Sequence, residues 1–168
     1  MKKSITVRIV VNGNPAPGGS KSGWCINSQK GKVCRGAIIN MAPNSKYTKP
    51  WMALVKASAR KAYQGPPIQG PISISATFMM DRPKSHRRSG KNAALLKANA
   101  PVHHLQKPDV TKLWRSTEDA LTQAGVLMDD CHVSNAHIYK TWRNSISTMP
   151  GVSIEIRGWV TEREEQTR

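Results

Sequence analysis

Acidic residues are scarce in this chain of 168 residues. Ten Asp and Glu stand against 26 Lys and Arg, and the first 80 positions hold no acid while supplying 12 Lys and Arg. A formal charge of +16 with a pI near 10.3 goes well beyond what solubility requires. An excess of that size points to a polyanionic partner, nucleic acid before an anionic membrane surface. Long apolar runs are missing too. No window offers the roughly 18 consecutive apolar residues of a membrane helix. The opening MKKSITVRIV alternates where a signal peptide would run apolar, so a cytoplasmic protein with no membrane partner is expected. Cysteine is limited to Cys25, Cys34 and Cys131, a spacing that fits no zinc ribbon or finger and leaves reduced, partly buried thiols. Aromatics are few, with one Phe, three Tyr and five Trp, so the stacking platforms of a basic RNA-binding protein are thin.

What is present reads as one domain, since a chain of this length buries roughly 70% of its unfolded surface. Ile5, Val7, Ile9 and Val11 alternate with exposed positions as a half-buried strand does, and Ile72, Ile74, Ala76 and Phe78 repeat the pattern. A third strand follows from Val152, Ile154, Ile156 and Val160, and His132 to Trp142 is a fourth candidate whose two faces both mix polar and apolar residues. Residues 21 to 40 suggest a hairpin around QKGK. A helix begins near Thr48, its expected cap, with Pro50 in the first turn and Trp51, Leu54, Val55, Ala59 and Ala62 at helical spacing. The domain is placed at 1–161, with 162–168 as a frayed tail.

Residues 81 to 107 show no convincing strand and only a short helical hint at AALLKA, a length that compact domains rarely tolerate without a functional reason. Arg82, Lys84, Arg87, Arg88 and Lys91 crowd into its first half, with His86 among them. A mobile, solvated loop would explain the composition; contact with phosphates explains it better, because no acidic segment could absorb these cations. Together with Lys21, Lys107 and Lys112, these residues form the expected DNA-binding set.

The scarce acids gather next to that loop. Asp109, Glu118, Asp119, Asp129 and Asp130 fall within KPDVTKLWRSTEDALTQAGVLMDD, residues 107–130. Val110, Leu113, Trp114, Thr117, Ala120, Leu121 and Ala124 trace one apolar face of a helix that Gly125 can end. Each acid has a modest explanation: Asp109 as the helix cap, Glu118 as a partner of Arg115, Asp129 and Asp130 as a turn. Their concentration calls for more, because each carboxylate near a phosphate-binding surface repels the ligand. Mg²⁺ is a hard cation held by one or two carboxylates plus substrate phosphate, and it would give these acids a purpose in phosphodiester hydrolysis. Asp109 and the Asp129–Asp130 pair lie at opposite ends of the helix in sequence, so they share a site only if the fold brings the pair back along it.

The stretch KPDVTKLWRSTEDALTQAGVLMDDCHV resembles the signature of the RusA family of Holliday-junction resolvases, in which K/R-P/D-D-x-D-N/K-L precedes a helix with D-A-L and then an acidic pair. GNPAPGGSK is similar to a loop of phage-type members, and Tyr47 to Pro50 resembles their entry into the first helix. The likeness covers most of residues 5–160, and the 107–133 block is its specific part. It implies an α+β domain with a small mixed sheet of about four strands and two main helices. It further implies a homodimeric endonuclease, dependent on Mg²⁺ with Mn²⁺ able to substitute, that nicks four-way DNA junctions in pairs. By position, Asp109 and Asp130 are the essential aspartates, Asp129 is an additional metal ligand, and Arg115 takes the place of a lysine that assists catalysis. The family's second aspartate is Thr111 here, a hydroxyl that can bind Mg²⁺ but adds no charge. The site then holds one metal instead of two, leans on Asp129, or is weakened. The alternative function is a catalytically silent DNA-binding protein on the same fold.

Overall fold

A computed structural model describes residues 2–18, 21–25, 39–43, 46–143 and 149–161. The alternating segments do become strands: β1 (Lys2–Asn12), β4 (Gln69–Met80), β5 (Val133–Trp142) and β6 (Gly151–Thr161) form one sheet in the order β1-β6-β4-β5. β6 runs antiparallel to both β1 and β4, while β5 is parallel to β4, so the sheet is mixed. Register puts the apolar sets in line, Ile9 opposite Ile154 and Ile154 opposite Ala76, with Val7, Ile156 and Ile74 forming the next row. One face is therefore continuously apolar. The other face is solvated, and on it Glu155 accepts hydrogen bonds from Arg8 at 2.9 Å and Arg157 at 2.6 Å, a pairing that holds its carboxyl below the usual range.

Two helices cover the apolar face, α1 (Thr48–Ala62) beside β1 and α2 (Val110–Gln123) beside β5. Trp51, Val55 and Ala59 of α1 and Leu113, Trp114, Ala120 and Leu121 of α2 are buried, and the Trp51 indole donates to Thr117 Oγ1 at 3.1 Å where the helices meet. Leu54 and Ala62, expected on the buried face of α1, are exposed. Thr48 does not cap its helix: Tyr47 occupies the cap position, and the Thr48 hydroxyl donates instead to Pro17 O at 2.7 Å. Gly125, at φ 78°, ends α2 as expected, since a left-handed residue there suits glycine.

β2 (Lys21–Cys25) and β3 (Ile39–Pro43) pair antiparallel, so the hairpin is present, although its centre lies outside the described residues along with Cys34 and the tail 162–168. The loop before it is docked on α2. Gly18 N donates to Lys112 O at 2.7 Å, the buried Ser116 hydroxyl donates to Ala16 O at 2.6 Å, and a Cβ on Gly18 would lie 2.9 Å from Ser116 Cβ. Glycine is required there by this close approach.

Candidate active site

α2 crosses from the end of β4 to the start of β5, so its first turn lies at one end of the parallel pair and the Asp129–Asp130 segment at the other. Asp109 is the cap residue of α2, with extended backbone, yet its side chain makes no capping bond. It is exposed and pairs with Lys112 one turn on, at 3.2 Å. That pairing places the Lys112 ammonium, about half exposed, at the Asp109 carboxylate. Thr111 and Arg115 are exposed on the same helix.

Asp129 and Asp130 form a 3-10 turn ahead of β5, in which Asp129 Oδ1 accepts from Cys131 N at 2.9 Å. The Cys131 thiol and amide hold the Asp129 carboxyl below its ordinary range, and Asp129 in return pushes the thiol up. Cys131 is a free, exposed thiol, where partial burial was expected. The turn returns along α2 as far as Glu118. Burial first, and then the charges of Asp130 and Asp119, push the Glu118 carboxyl above its usual range, with Arg115 opposing through its own charge. No Arg115–Glu118 ion pair forms among the described residues, so the modest explanation of both side chains does not hold.

The return stops short of Asp109. Positions 109 and 118 are about 13 Å apart along a helix axis, and among the described residues no three His, Cys, Asp or Glu converge to hold a metal ion. The expected three-carboxylate cluster of Asp109, Asp129 and Asp130 is thus corrected to two acidic positions along one helix. In donor chemistry both still fit a hard divalent cation, since Mg²⁺ needs only one or two carboxylates when substrate phosphate and water complete its shell. The crowding of acids around Glu118 is what such a cation relieves.

Lys140 is the residue that the sequence did not single out. It sits on the inward side of β5 between Ile138 and Trp142, and its ammonium donates to Gln106 O at 2.7 Å and Pro108 O at 2.8 Å, next to Asp109. Burial lowers its pKa while the Asp109 charge raises it. A usable signal existed: Ala136, Ile138, Lys140 and Trp142 share one parity, which puts a cation on the apolar face.

The basic loop is more ordered than composition suggested. Two 3-10 turns, Lys84–His86 and Gly90–Asn92, and a bridge between Arg87 and Leu96 replace the expected helical hint at AALLKA. Trp142 anchors it. The indole donates to His103 O at 3.0 Å, His104 packs at a tilt on its ring with centroids 4.1 Å apart, His86 meets it edge-on at 5.1 Å, and the Arg82 guanidinium lies 5.3 Å away. Arg82, Arg87 and Arg88 each donate to a carbonyl within the loop, of Pro101, Ala94 and Leu96. Each guanidinium has five N–H groups in a fixed fork, so these bonds aim the arginines and leave donors over. With Lys84 and Arg143, and with Asp81 at the rim paired to Arg143, they line a concavity of about 580 Å³. Lys91 is exposed beside them and Lys107 precedes the Asp109 turn.

An exposed carboxylate at a helix start, paired with Lys112, and a basic concavity of aimed arginines both suit contact with the phosphate backbone of nucleic acid. A family model described as endodeoxyribonuclease RusA matches residues 27–157, and the chain belongs to that family. It is an endodeoxyribonuclease of the crossover-junction resolvase type, and branched DNA is its substrate class. Nucleases of the family generally depend on a divalent metal. No curated protein matches the chain. No helix among the described residues is long and apolar enough to cross a membrane.

Proposed function

We propose that this nuclease resolves four-way DNA junctions by paired nicks, as a two-fold symmetric homodimer that uses Mg²⁺, with Mn²⁺ able to substitute. The observation that carries the reading is Asp109 itself, exposed at the start of α2, paired with Lys112 and backed by Lys140. Asp109 at the start of α2, and Asp130 with Asp129 at the far end, are the residues that would hold a metal ion, each position completed by substrate phosphate and water. When bound, the cation supplies an activated water and neutralises charge on the leaving oxygen. The chain does the rest. Arg115, exposed on α2 between the two acidic positions and in no close ion pair among the described residues, would bring its charge to the scissile phosphate. Lys84, Arg87 and Arg88 hold the backbone of a neighbouring arm, and Thr111 offers a neutral oxygen where the family has an acid. Two opposed strands must be cut for resolution, and a two-fold dimer matches the symmetry of the substrate.

A second reading, the silent DNA binder, is favoured by Thr111 and by the separation of the acids. Incubating pure protein with labelled four-way and linear duplexes, with and without Mg²⁺, separates the two. Symmetric nicks in the four-way substrate only with Mg²⁺ support the resolvase; tight junction binding with no product at any metal concentration supports the binder.

A further inference from the structure

We propose that Lys140 is a positioning residue for strand cleavage, the cation that seats Asp109, and this rests on Asp109 being the essential carboxylate of the proposed function. The helix does not fix the Asp109 side chain. Its backbone carbonyl accepts the first helical bond, from Leu113 N at 3.1 Å, but the carboxylate caps nothing and leans on Lys112, itself about half exposed. What fixes the residue comes from the sheet. Consecutive inward residues of β5 tie down the segment that leads into α2: Trp142 Nε1 donates to His103 O at 3.0 Å, and Lys140 Nζ donates to Gln106 O at 2.7 Å and Pro108 O at 2.8 Å. The two carbonyls held by Lys140 flank Lys107 and end one residue before Asp109. One ammonium therefore sets both the path and the exit direction of the chain at the carboxylate.

The choice of lysine is informative. An apolar residue would suit the inward parity of β5 shared by Ile138 and Trp142, and burying an ammonium instead is unfavourable unless carbonyls and a charge answer it. Two carbonyls could be satisfied by a neutral amide. Only a cation also acts on Asp109, whose charge is the acidic influence felt at Lys140. Lys140 thus does two things that no other described residue combines: it orients the turn, and it places positive charge behind the carboxylate.

The test uses the full chain and labelled four-way junctions, with Lys140→Gln, Lys140→Arg and Asp109→Asn compared singly and Lys140→Gln also combined with Asp109→Asn. Single-turnover cleavage is measured at saturating protein and Mg²⁺, and junction affinity separately in EDTA. Misplacement of a reacting group by about 1 Å costs up to about 100-fold in rate. Lys140→Gln is therefore expected to slow cleavage between about tenfold and 100-fold while affinity in EDTA stays within about threefold, with Lys140→Arg recovering most of the rate. In the Asp109→Asn background, Lys140→Gln should change the residual rate no further, because residues that act as a unit are not additive. Thermal melting identifies any variant that is unfolded at the assay temperature, in which case the Arg variant alone decides. Cleavage by Lys140→Gln at the parent rate overturns the proposal, as does a loss of affinity equal to the loss of rate, which would make Lys140 a phosphate contact. Unimpaired cleavage by Asp109→Asn instead overturns the underlying assignment, whatever Lys140 does.

Discussion

At the first turn of α2, Asp109 is surrounded by positive charge: Lys112 pairs with it, and Lys140 stands behind it. Further along the same helix, burial first and then the charges of Asp130 and Asp119 raise the pKa of Glu118. One carboxylate is thus paired with cations at an open surface, and the other is half-buried where negative charge is in excess. The two acidic positions therefore have different needs. The Asp109 end is already balanced and presents a fixed, exposed oxygen donor. At the Asp130 end the Arg115 charge offsets only part of the excess, so a bound cation would relieve more repulsion there than at Asp109.

The sharpest way to break this comparison is at Asp109. Asp109→Asn should lower cleavage of a four-way junction at least about 100-fold while junction binding survives or tightens, because one negative charge leaves a phosphate-binding surface. Gel-shift and cleavage assays on the same preparation check both halves, and unchanged cleavage would remove Asp109 from the site.

A second test separates the pocket from its scaffold. Trp142 is 3% exposed and carries the docking of both histidines and Arg82. Trp142→Ala should lower stability by about 3 kcal/mol, as large aromatic truncations do, and should release the loop. Lys84 donates to no carbonyl within the loop, so Lys84→Ala should leave stability unchanged and reduce the slope of log affinity against log salt by roughly 0.9. Arg87 and Arg88 differ in kind, since their bonds to Ala94 and Leu96 also shape the loop. If Lys84→Ala leaves the slope unaltered, the pocket does not receive phosphate.

Loop docking also carries a pH dependence. Burial of His104 first, then the nearby Lys140 and His86 charges, depress its pKa, although its own carbonyl and that of Gln106 oppose the shift. A histidine whose folded pKa is depressed supports the fold fully above its unfolded value, near 6.5, and loses that support as pH falls toward the folded value. Protection of the amides across 81–107, measured relative to their intrinsic exchange rates, should therefore fall on acidification below about pH 6.5, and His104→Phe should flatten that fall.

Much of this architecture was legible because period-2 and period-3.6 patterns report burial directly. The face of α2 from Leu113 to Leu121 and the three strands of clean alternation needed no tertiary information. β5 was ambiguous for a physical reason: its outer residues Asn135, His137 and Tyr139 are solvated, while its inner set ends in Lys140 and Trp142, whose roles are to hold another segment. The same holds for the arginines of the basic loop. Their charge was visible in the sequence, but the carbonyls that aim them become partners only once the chain turns back on itself. The distance between Asp109 and Asp130 was equally hidden, since it depends on how far the 3-10 turn returns along α2.

Thr111→Asp sharpens the comparison from the other side. Position 111 lies between Asp109 and Arg115 on the helix surface, in the first turn, where negative charge is favoured by roughly 0.3–1 kcal/mol. Folding should tolerate the change. A new carboxylate there would bring a third acid into the interval that separates the two acidic positions, so the Mg²⁺ concentration for half-maximal cleavage should fall, by about threefold to tenfold if it supplies one further ligand. Thr111→Ala should cost little. Should Thr111→Ala abolish cleavage while Thr111→Asp fails to support it, the hydroxyl has a specific part in orienting water or phosphate, and a site short of one acid is the wrong description.

The smallest expected effect concerns Glu118. Its folded pKa is raised, so ionisation there opposes folding: the contribution to stability is unfavourable above the folded pKa and is relieved as pH falls through it toward the unfolded value. Glu118→Gln removes the charge and keeps the shape. Because the side chain is only partly buried, solvent screens the repulsion, and the gain in melting temperature at neutral pH should be about 1–2 °C for a chain of this size. The gain should vanish on acidification, where wild-type Glu118 is itself protonated. Added Mg²⁺ should also stabilise the wild type more than the variant, since a cation at Asp130 relieves a repulsion that the variant no longer has. Equal Mg²⁺ effects on both proteins, measured by thermal melting at fixed ionic strength, would place the cation away from Glu118 and leave Asp109 as its principal ligand.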